Sequence, residues 1–361
     1  MIPLFKPSFT GEEISLVTRA LESGWVSDGD FLREFESGLS RCLRSPHVLT
    51  SSSGTASLHL ALQALGIGPG DEVIIPSYSF AAPANIVRIL GGRPVFAPVD
   101  PDSWLLDPGA WEELVTAKTR AIVAVHLYGN VCDMGPICQK AREKNIAVVE
   151  DVAQAFFSSY AGQFAGTFGA VGCFSFQATK IISTGEGGAV CTGDESLFKT
   201  MTLIRNHGMG PEKKYWHALA GHNFRLTNLQ GALGVAQLKG LAVNVEKRRK
   251  LMARYRSLLS DLSWIVRQSF SPEVDPVFWA LPLKIRPESG ISRDAVMGWL
   301  KEKGIETRPG FHPFDEMPGY GAASDPVGKE ISKNLFLLPF YPDLSSEEVE
   351  FVAQSLRAFR S

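Results

Sequence analysis

The stretch VVEDVAQAFFSSYAGQFAGTFGAVGCFSFQATKIISTGEGG, Val148–Gly188, decides how the rest of the chain is read. Ile146–Val149 is a short apolar run of the kind that makes a buried parallel strand, and it ends on two carboxylates, Glu150 and Asp151. A carboxylate at the C-terminal end of such a strand faces the ligand crevice of an α/β sheet. A Gly-rich loop then leads to Cys173–Phe176, an alternating strand with the small polar Ser175 between two aromatics, and Lys180 follows five residues after Ser175.

Lys180 is flanked by Ala178, Thr179, Ile181 and Ile182, so its ammonium is expected to be desolvated or paired. Desolvation lowers a lysine pKa and exposes a nucleophilic amine. A structural ion pair is the plain alternative. Asp151 favours the chemical reading, because pyridoxal phosphate (PLP) needs a lysine for its aldehyde and an acid for its pyridinium nitrogen. The runs EDVAQA (150–155), FSFQATK (174–180) and STGEGG (183–188) resemble motifs of the PLP-dependent sugar aminotransferases of the DegT/DnrJ/EryC1 family, of fold type I. KKYWHALAGHNFRLTNLQ (213–230) and GIETRPGFHPFDEMPGYG (304–321) are similar, in addition, to the GDP-perosamine synthases within it. The likeness spans nearly the whole chain.

With 361 residues and 45% hydrophobic content the chain can bury a large core, and its length suggests one large domain and a smaller one. Its 36 basic and 38 acidic side chains leave a net charge of -2, which offers nothing to nucleic acid or a membrane surface. The five cysteines, at 42, 132, 138, 173 and 191, match no zinc spacing and read as reduced thiols, so no metal site is expected. The N-terminus has no signal-peptide pattern and no segment reaches 18 apolar residues, which predicts a soluble, cytoplasmic protein.

In chain order, Thr10 and Glu13 form a capping box for a helix whose expected apolar face is Ile14, Val17 and Leu21. His47–Thr50 is a short strand leading into Ser51-Ser52-Ser53-Gly54-Thr55 and then a helix. Strand, hydroxyl-rich turn and helix N-terminus together make an anion site. Gly66–Asp71 lacks the third glycine of a dinucleotide loop and follows a helix, which excludes a nicotinamide fold in practice. Strands are predicted at 72–76, 94–99 and 120–125, the last two separated by an α-helix, and residues 47–190 read as βαβαβαβ. That pattern argues a mainly parallel sheet covered on both faces. A long helix over 238–259 leads to strands near 263–267, 277–285 and 306–308, a helix over 292–303 and a closing helix over 345–360.

The resemblance implies an aspartate aminotransferase-like α/β fold with a mainly parallel central sheet, a large PLP-binding domain of 1–240 and a small C-terminal α+β domain of 241–361. It implies that Lys180 carries the cofactor and Asp151 pairs its ring nitrogen. Gly54, Thr55 and Ser175 would hold the phosphate, Phe80 would stack on the ring, and Gln154 would bond the ring hydroxyl. Asn223 would reach the other subunit's phosphate, making a homodimer with shared sites. Trp25, Ser27, His126, Glu186, Tyr215, Arg308 and His312 would serve the substrate, with His126 in a supporting role. The implied reaction gives a keto sugar the amino group of L-glutamate. Substrates open at this point are a GDP-, UDP- or dTDP-linked keto sugar and a free keto-deoxy sugar acid that would yield 8-amino-Kdo. A sugar 3-dehydratase of the family would carry His in place of Lys180. A non-catalytic PLP-binding regulator would not need the full set of Asp151, Gln154, Ser175 and Lys180.

Overall fold

Seven strands make the central sheet of the computed structural model, which describes residues 1–210, 212–320 and 325–359. In chain order they are β1 (His47–Ser51), β2 (Glu72–Pro76), β3 (Arg93–Ala97), β4 (Thr119–Val125), β5 (Ala147–Asp151), β8 (Val171–Ser175) and β9 (Gly188–Thr192), with the two-residue β6 (Ser159–Tyr160) and β7 (Gln163–Phe164) forming a small separate ladder between β5 and β8 in the chain. The sheet order is β1-β9-β8-β5-β4-β2-β3, and only β9 runs antiparallel to its neighbours. Ser51, Pro76, Val125, Asp151 and Ser175 therefore end their strands on one edge of the sheet, where open α/β sheets place their ligands. The mainly parallel α/β expectation holds.

The helices before the second sheet are α1 (Glu12–Glu22), α2 (Asp30–Leu43), α3 (Gly54–Ala64), α4 (Ala82–Ile89), α5 (Met134–Glu143), α6 (Glu195–Arg205), α7 (Asn228–Lys239) and α8 (Leu241–Leu258). Beyond them, β10 (Ile265–Arg267), β12 (Leu281–Ile285), β13 (Arg308–Pro309) and β14 (Leu335–Leu338) form an antiparallel sheet in the order β10-β12-β14-β13. β11 (Val274–Asp275) pairs with β6 instead. Helices α9 (Arg293–Glu302), α10 (Pro326–Asn334) and α11 (Ser346–Arg357) complete this part. Two separate buried clusters result. Leu241 and Val245 of α8 belong to the first, and Leu251, Met252 and Tyr255 to the second.

Several local expectations are corrected. The apolar face of α1 is not Ile14, Val17 and Leu21: Ile14 is 77% and Leu21 55% exposed, while Glu13, Leu16 and Ala20 are buried. Glu13 decides this, because its Oε2 accepts the Thr10 and Gly11 amides at 3.0 Å each and its Oε1 accepts Gln237 Nε2 at 2.7 Å. The reciprocal half of the box is missing, with Gly11 as the N-cap. Between β3 and β4 there is a single 3-10 turn, Trp111–Leu114, where an α-helix was expected; Pro108-Gly109 before it and Val115-Thr116 after it leave no room for more. The helix predicted over 238–259 is two helices broken at Gly240. In the second sheet the strand predicted from Val277 starts only at Leu281, and the one predicted at 306–308 is Arg308–Pro309. The closing helix has the predicted capping box at Ser345 and Glu348; its predicted end, Arg360, lies outside the described residues.

Candidate active site

The two carboxylates that end β5 point to opposite faces, as successive strand residues must. Glu150 is fully buried: Oε1 accepts the amides of Phe168 and Gly169 at 2.7 and 2.8 Å, and Oε2 accepts Gly166 N–H at 2.7 Å. His126 is sealed beside it. Its Nδ1 accepts the Cys132 amide at 3.1 Å, so the single ring proton sits on Nε2, which donates to Glu150 Oε2 at 3.1 Å. Asp151 faces the sheet edge, where Oδ1 accepts Ala153 N–H at 3.0 Å. Burial pushes its pKa up, opposed by the Ala153 amide and by the charge of Lys180.

The phosphate-like turn lies alongside. Ser53 caps α3, accepting Ala56 N–H at 3.1 Å, and the next two amides, Gly54 and Thr55, have no acceptor among the described residues. A Cβ on Gly54 would stand 2.7 Å from Ser175 Cβ, so glycine is what lets β8 close on the turn. Among the described residues Ser175 Oγ accepts only a long 3.4 Å bond from Gln177 N–H. Two free amides at a helix N-terminus with a nearby hydroxyl make an anion cradle.

Lys180 is half-buried, and the loss of water around it pushes its amine down to about 8. Asp151 and Glu186 pull it upward and Arg308 pushes it further down, which places all three charges around it. At pH 7 roughly a tenth of such an amine is neutral, against about one in 2,500 for an ordinary lysine. Gln154 turns its Oε1 to the Tyr128 amide at 3.0 Å. An aromatic wall stands opposite: Tyr128 lies parallel to Phe311 at 6.1 Å, and Phe311 meets Phe80 edge-on at 6.1 Å. Phe80 itself is 57% exposed, a large ring left open at the sheet edge.

Residues 7–357 match the DegT/DnrJ/EryC1/StrS aminotransferase family. The chain belongs to this family. It is 36% identical over 363 residues to a GDP-perosamine synthase of Escherichia coli O157:H7, covering 100% of this chain and 99% of that one. In structure it is similar to the aminotransferase TlmJ from Streptoalloteichus hindustanus, with TM-score 0.95, 30% identity and coverage of 99% and 98%. The PLP form of Spr1654 from Streptococcus pneumoniae gives TM-score 0.92 at 27% identity, covering 98% and 97%. The protein is a PLP-dependent sugar aminotransferase, and its residues fit that cofactor: a half-buried, depressed lysine, a buried aspartate within reach of its charge, and an anion cradle on one edge of the sheet.

The structure gathers most of the residues picked from the aminotransferase's sequence. Gly54, Thr55, Asp151, Gln154, Ser175 and Lys180 come together, with Glu186 and Arg308 beside the amine. Trp25 and Ser27 are exposed on a loop held by the start of α7, where Asn228 Nδ2 donates to Trp25 O and Asn228 N–H donates to Val26 O at 3.1 Å. Tyr215 and Asn223 are exposed on the segment leading into α7. His312 is exposed next to Phe311, in a groove shared with Arg293, Lys329 and Lys333. One assignment is corrected. His126 does not touch substrate, because it has no exposed surface and both ring nitrogens are occupied; it braces Glu150 behind the site. Sequence reading missed Trp279, whose ring face lies against Lys180, because one Trp in an apolar run reads as core.

Proposed function

We propose that this aminotransferase converts GDP-4-keto-6-deoxymannose, a nucleotide-linked 4-keto-6-deoxy sugar, to its 4-amino product with L-glutamate as amino donor, working as a homodimer with shared sites. The observation that carries the sugar nucleotide is the end-to-end likeness to a GDP-perosamine synthase, which includes the loops bearing Trp25 and His312. The chain divides in this reading into a large domain, 1–240, and a small one, 241–361, which supplies every buried residue of the second cluster and also adds Phe314, Ile331 and Leu335 to the first. Trp25 and Val26, with Ile14 and Leu21 on α1, leave apolar surface in solvent that a second copy would cover.

When bound, PLP supplies an aldehyde that takes up the amino group and a ring that absorbs carbanion charge. The chain does the rest. Lys180 Nζ holds the cofactor, and once released it carries the proton to and from the substrate carbon. The Asp151 carboxylate keeps a proton on the ring nitrogen, and the Gln154 amide donates to the ring hydroxyl. The Gly54 and Thr55 amides and the Ser175 hydroxyl take the phosphate, and Asn223 of the partner subunit adds a donor. Phe80 covers the ring. Trp25, Ser27, Glu186, Tyr215, Arg308 and His312 serve the sugar nucleotide and the donor.

The substrate test is a half-reaction started from the pyridoxamine form and followed by the return of the aldehyde absorbance. GDP-4-keto-6-deoxymannose is expected to react at least about tenfold faster than UDP- or dTDP-keto sugars or 8-oxo-Kdo, a difference of about 1.4 kcal/mol in barrier. A faster UDP-, dTDP- or free sugar acid would replace the GDP reading with that one. Separately, borohydride reduction of the yellow holoenzyme and peptide mapping should place the adduct on Lys180. An adduct on any other lysine ends the assignment.

A further inference from the structure

Whenever the amine of Lys180 is not joined to the cofactor it needs a place to rest, and none of the usual anionic partners provides one. No carboxylate forms a salt bridge with Nζ among the described residues; Nζ lies 4.2 Å from the centroid of the Trp279 ring. Asp151 and Glu186 attract this charge and Arg308 repels it, all at longer range than a direct pair. A ring face holds an ammonium weakly. A paired carboxylate would hold it strongly and keep it protonated, which is the wrong state for a proton carrier.

Trp279 is fixed on several sides. Its Nε1–H donates to Thr179 O at 2.7 Å, and its ring stacks on Phe5 at 5.0 Å and 17° and lies nearly parallel to Tyr128 at 6.3 Å and 11°. Its own carbonyl accepts Arg248 Nη1 at 3.2 Å, as does the carbonyl of Phe278. Arg248 Nε also donates to Asn244 Oδ1 at 2.8 Å, and Asn244 Nδ2 donates to Ile181 O at 2.9 Å. The carbonyls on both sides of Lys180 are thus held, Thr179 by Trp279 and Ile181 by Asn244, and both holders are tied to one guanidinium. Arg248 is buried without a carboxylate among the described residues, and burial pushes it down to about 9. An unpaired buried cation is costly, and an apolar side chain would serve packing alone.

We propose that Trp279 is a positioning residue for Lys180: its ring face is the resting place of the released ammonium, and with Asn244 and Arg248 it fixes the backbone about which the amine swings. The idea rests on Lys180 being the lysine that carries PLP. If Trp279 were only a filler between Phe5 and Tyr128, replacing it with another apolar side chain would leave the titration of Lys180 where it is.

The test uses the protein freed of cofactor. Acetylation by acetic anhydride is followed against pH on the Lys180 peptide by mass spectrometry, giving the amine's titration midpoint without any turnover. In Trp279→Leu the midpoint should fall by about half a unit or more, because the ring that favoured the charged form is gone. In the reloaded enzyme kcat should fall about tenfold, with KM for both substrates within about twofold. Trp279→Phe keeps a ring face and loses the bond to Thr179, so the midpoint should return to near wild type and kcat only in part. A Trp279→Leu protein with wild-type midpoint and kcat overturns the proposal. Should that variant fail to fold, one to three fluorines on the indole at position 279 keep its shape while draining its face; the midpoint must then fall stepwise, and a flat series overturns the proposal equally. If the midpoint responds as expected while borohydride marks a different lysine, the contact stands and the cofactor assignment of Lys180 is what fails.

Discussion

Asp151→Asn is expected to bind PLP and to transaminate at less than a tenth of the wild-type kcat. The carboxylate sits at the end of β5 with a single local bond, from Ala153 N–H at 3.0 Å, and asparagine can keep that bond through its side-chain oxygen. Shape and packing are therefore retained. What changes is charge. Asp151 is buried, and burial pushes its carboxyl up, while the Ala153 amide and the Lys180 ammonium pull it back toward the anion. A protonated ring nitrogen is a further cation in the same place, and each stabilises the other. A neutral amide leaves the nitrogen free to lose its proton, and the ring then no longer accepts the carbanion charge. Because that charge develops mainly in the transition state, kcat should fall far more than cofactor or substrate affinity. Steady-state kinetics at saturating donor checks this. Retention of more than about a tenth of kcat, a change under roughly 1.4 kcal/mol, would show that Asp151 does not partner the ring nitrogen.

The central sheet was legible from residue pattern because its strands carry the signal that burial on both faces demands: VIIP at 73–76, AIVAV at 121–125 and AVV at 147–149 are unbroken apolar runs between turn residues. The same logic located Asp151, since a carboxylate ending such a run has few other places to go. Helix faces were less legible. Ile14 and Leu21 have the right spacing and chemistry for a buried stripe, but Glu13 is held by hydrogen bonds from Thr10, Gly11 and Gln237, and the last of these is distant in sequence. Local periodicity does not contain that bond. His126 failed for a related reason. A histidine at a strand end next to the site looks the same in sequence whether its ring opens to solvent or closes on Glu150, and only the packing of Cys132 against Nδ1 decides. Trp279 and Arg248 were silent because they act on Lys180 from about 70 to 100 residues away, through carbonyl oxygens that every residue possesses.

Mixed dimers made by co-folding an Asn223→Ala protein with a Lys180→Ala protein are expected to regain activity, approaching half the wild-type value per hybrid, although each variant alone is inactive or crippled. The expectation comes from the way the loop is laid down. Phe224 O accepts Ser52 N–H at 2.8 Å, which pins the loop beside its own phosphate turn. The rings of His222 and Phe224 stack on each other at 4.5 Å and both meet His59 on α3, at 4.6 and 5.3 Å, so residues 222 and 224 face their own subunit. In an extended segment the residue between them faces the other way. Asn223 is indeed exposed, and no bond joins its side chain to the Gly54 and Thr55 amides of its own chain. If it serves a phosphate, that phosphate belongs to a second copy. In the hybrid, one site would take Lys180 from one subunit and Asn223 from the other and be whole, while the second site would carry both defects. Sites acting independently then give one half. A protein that sediments as a monomer, or an Asn223→Ala defect that mixed dimers do not repair, would show that the loop serves its own subunit and that the shared site is wrong.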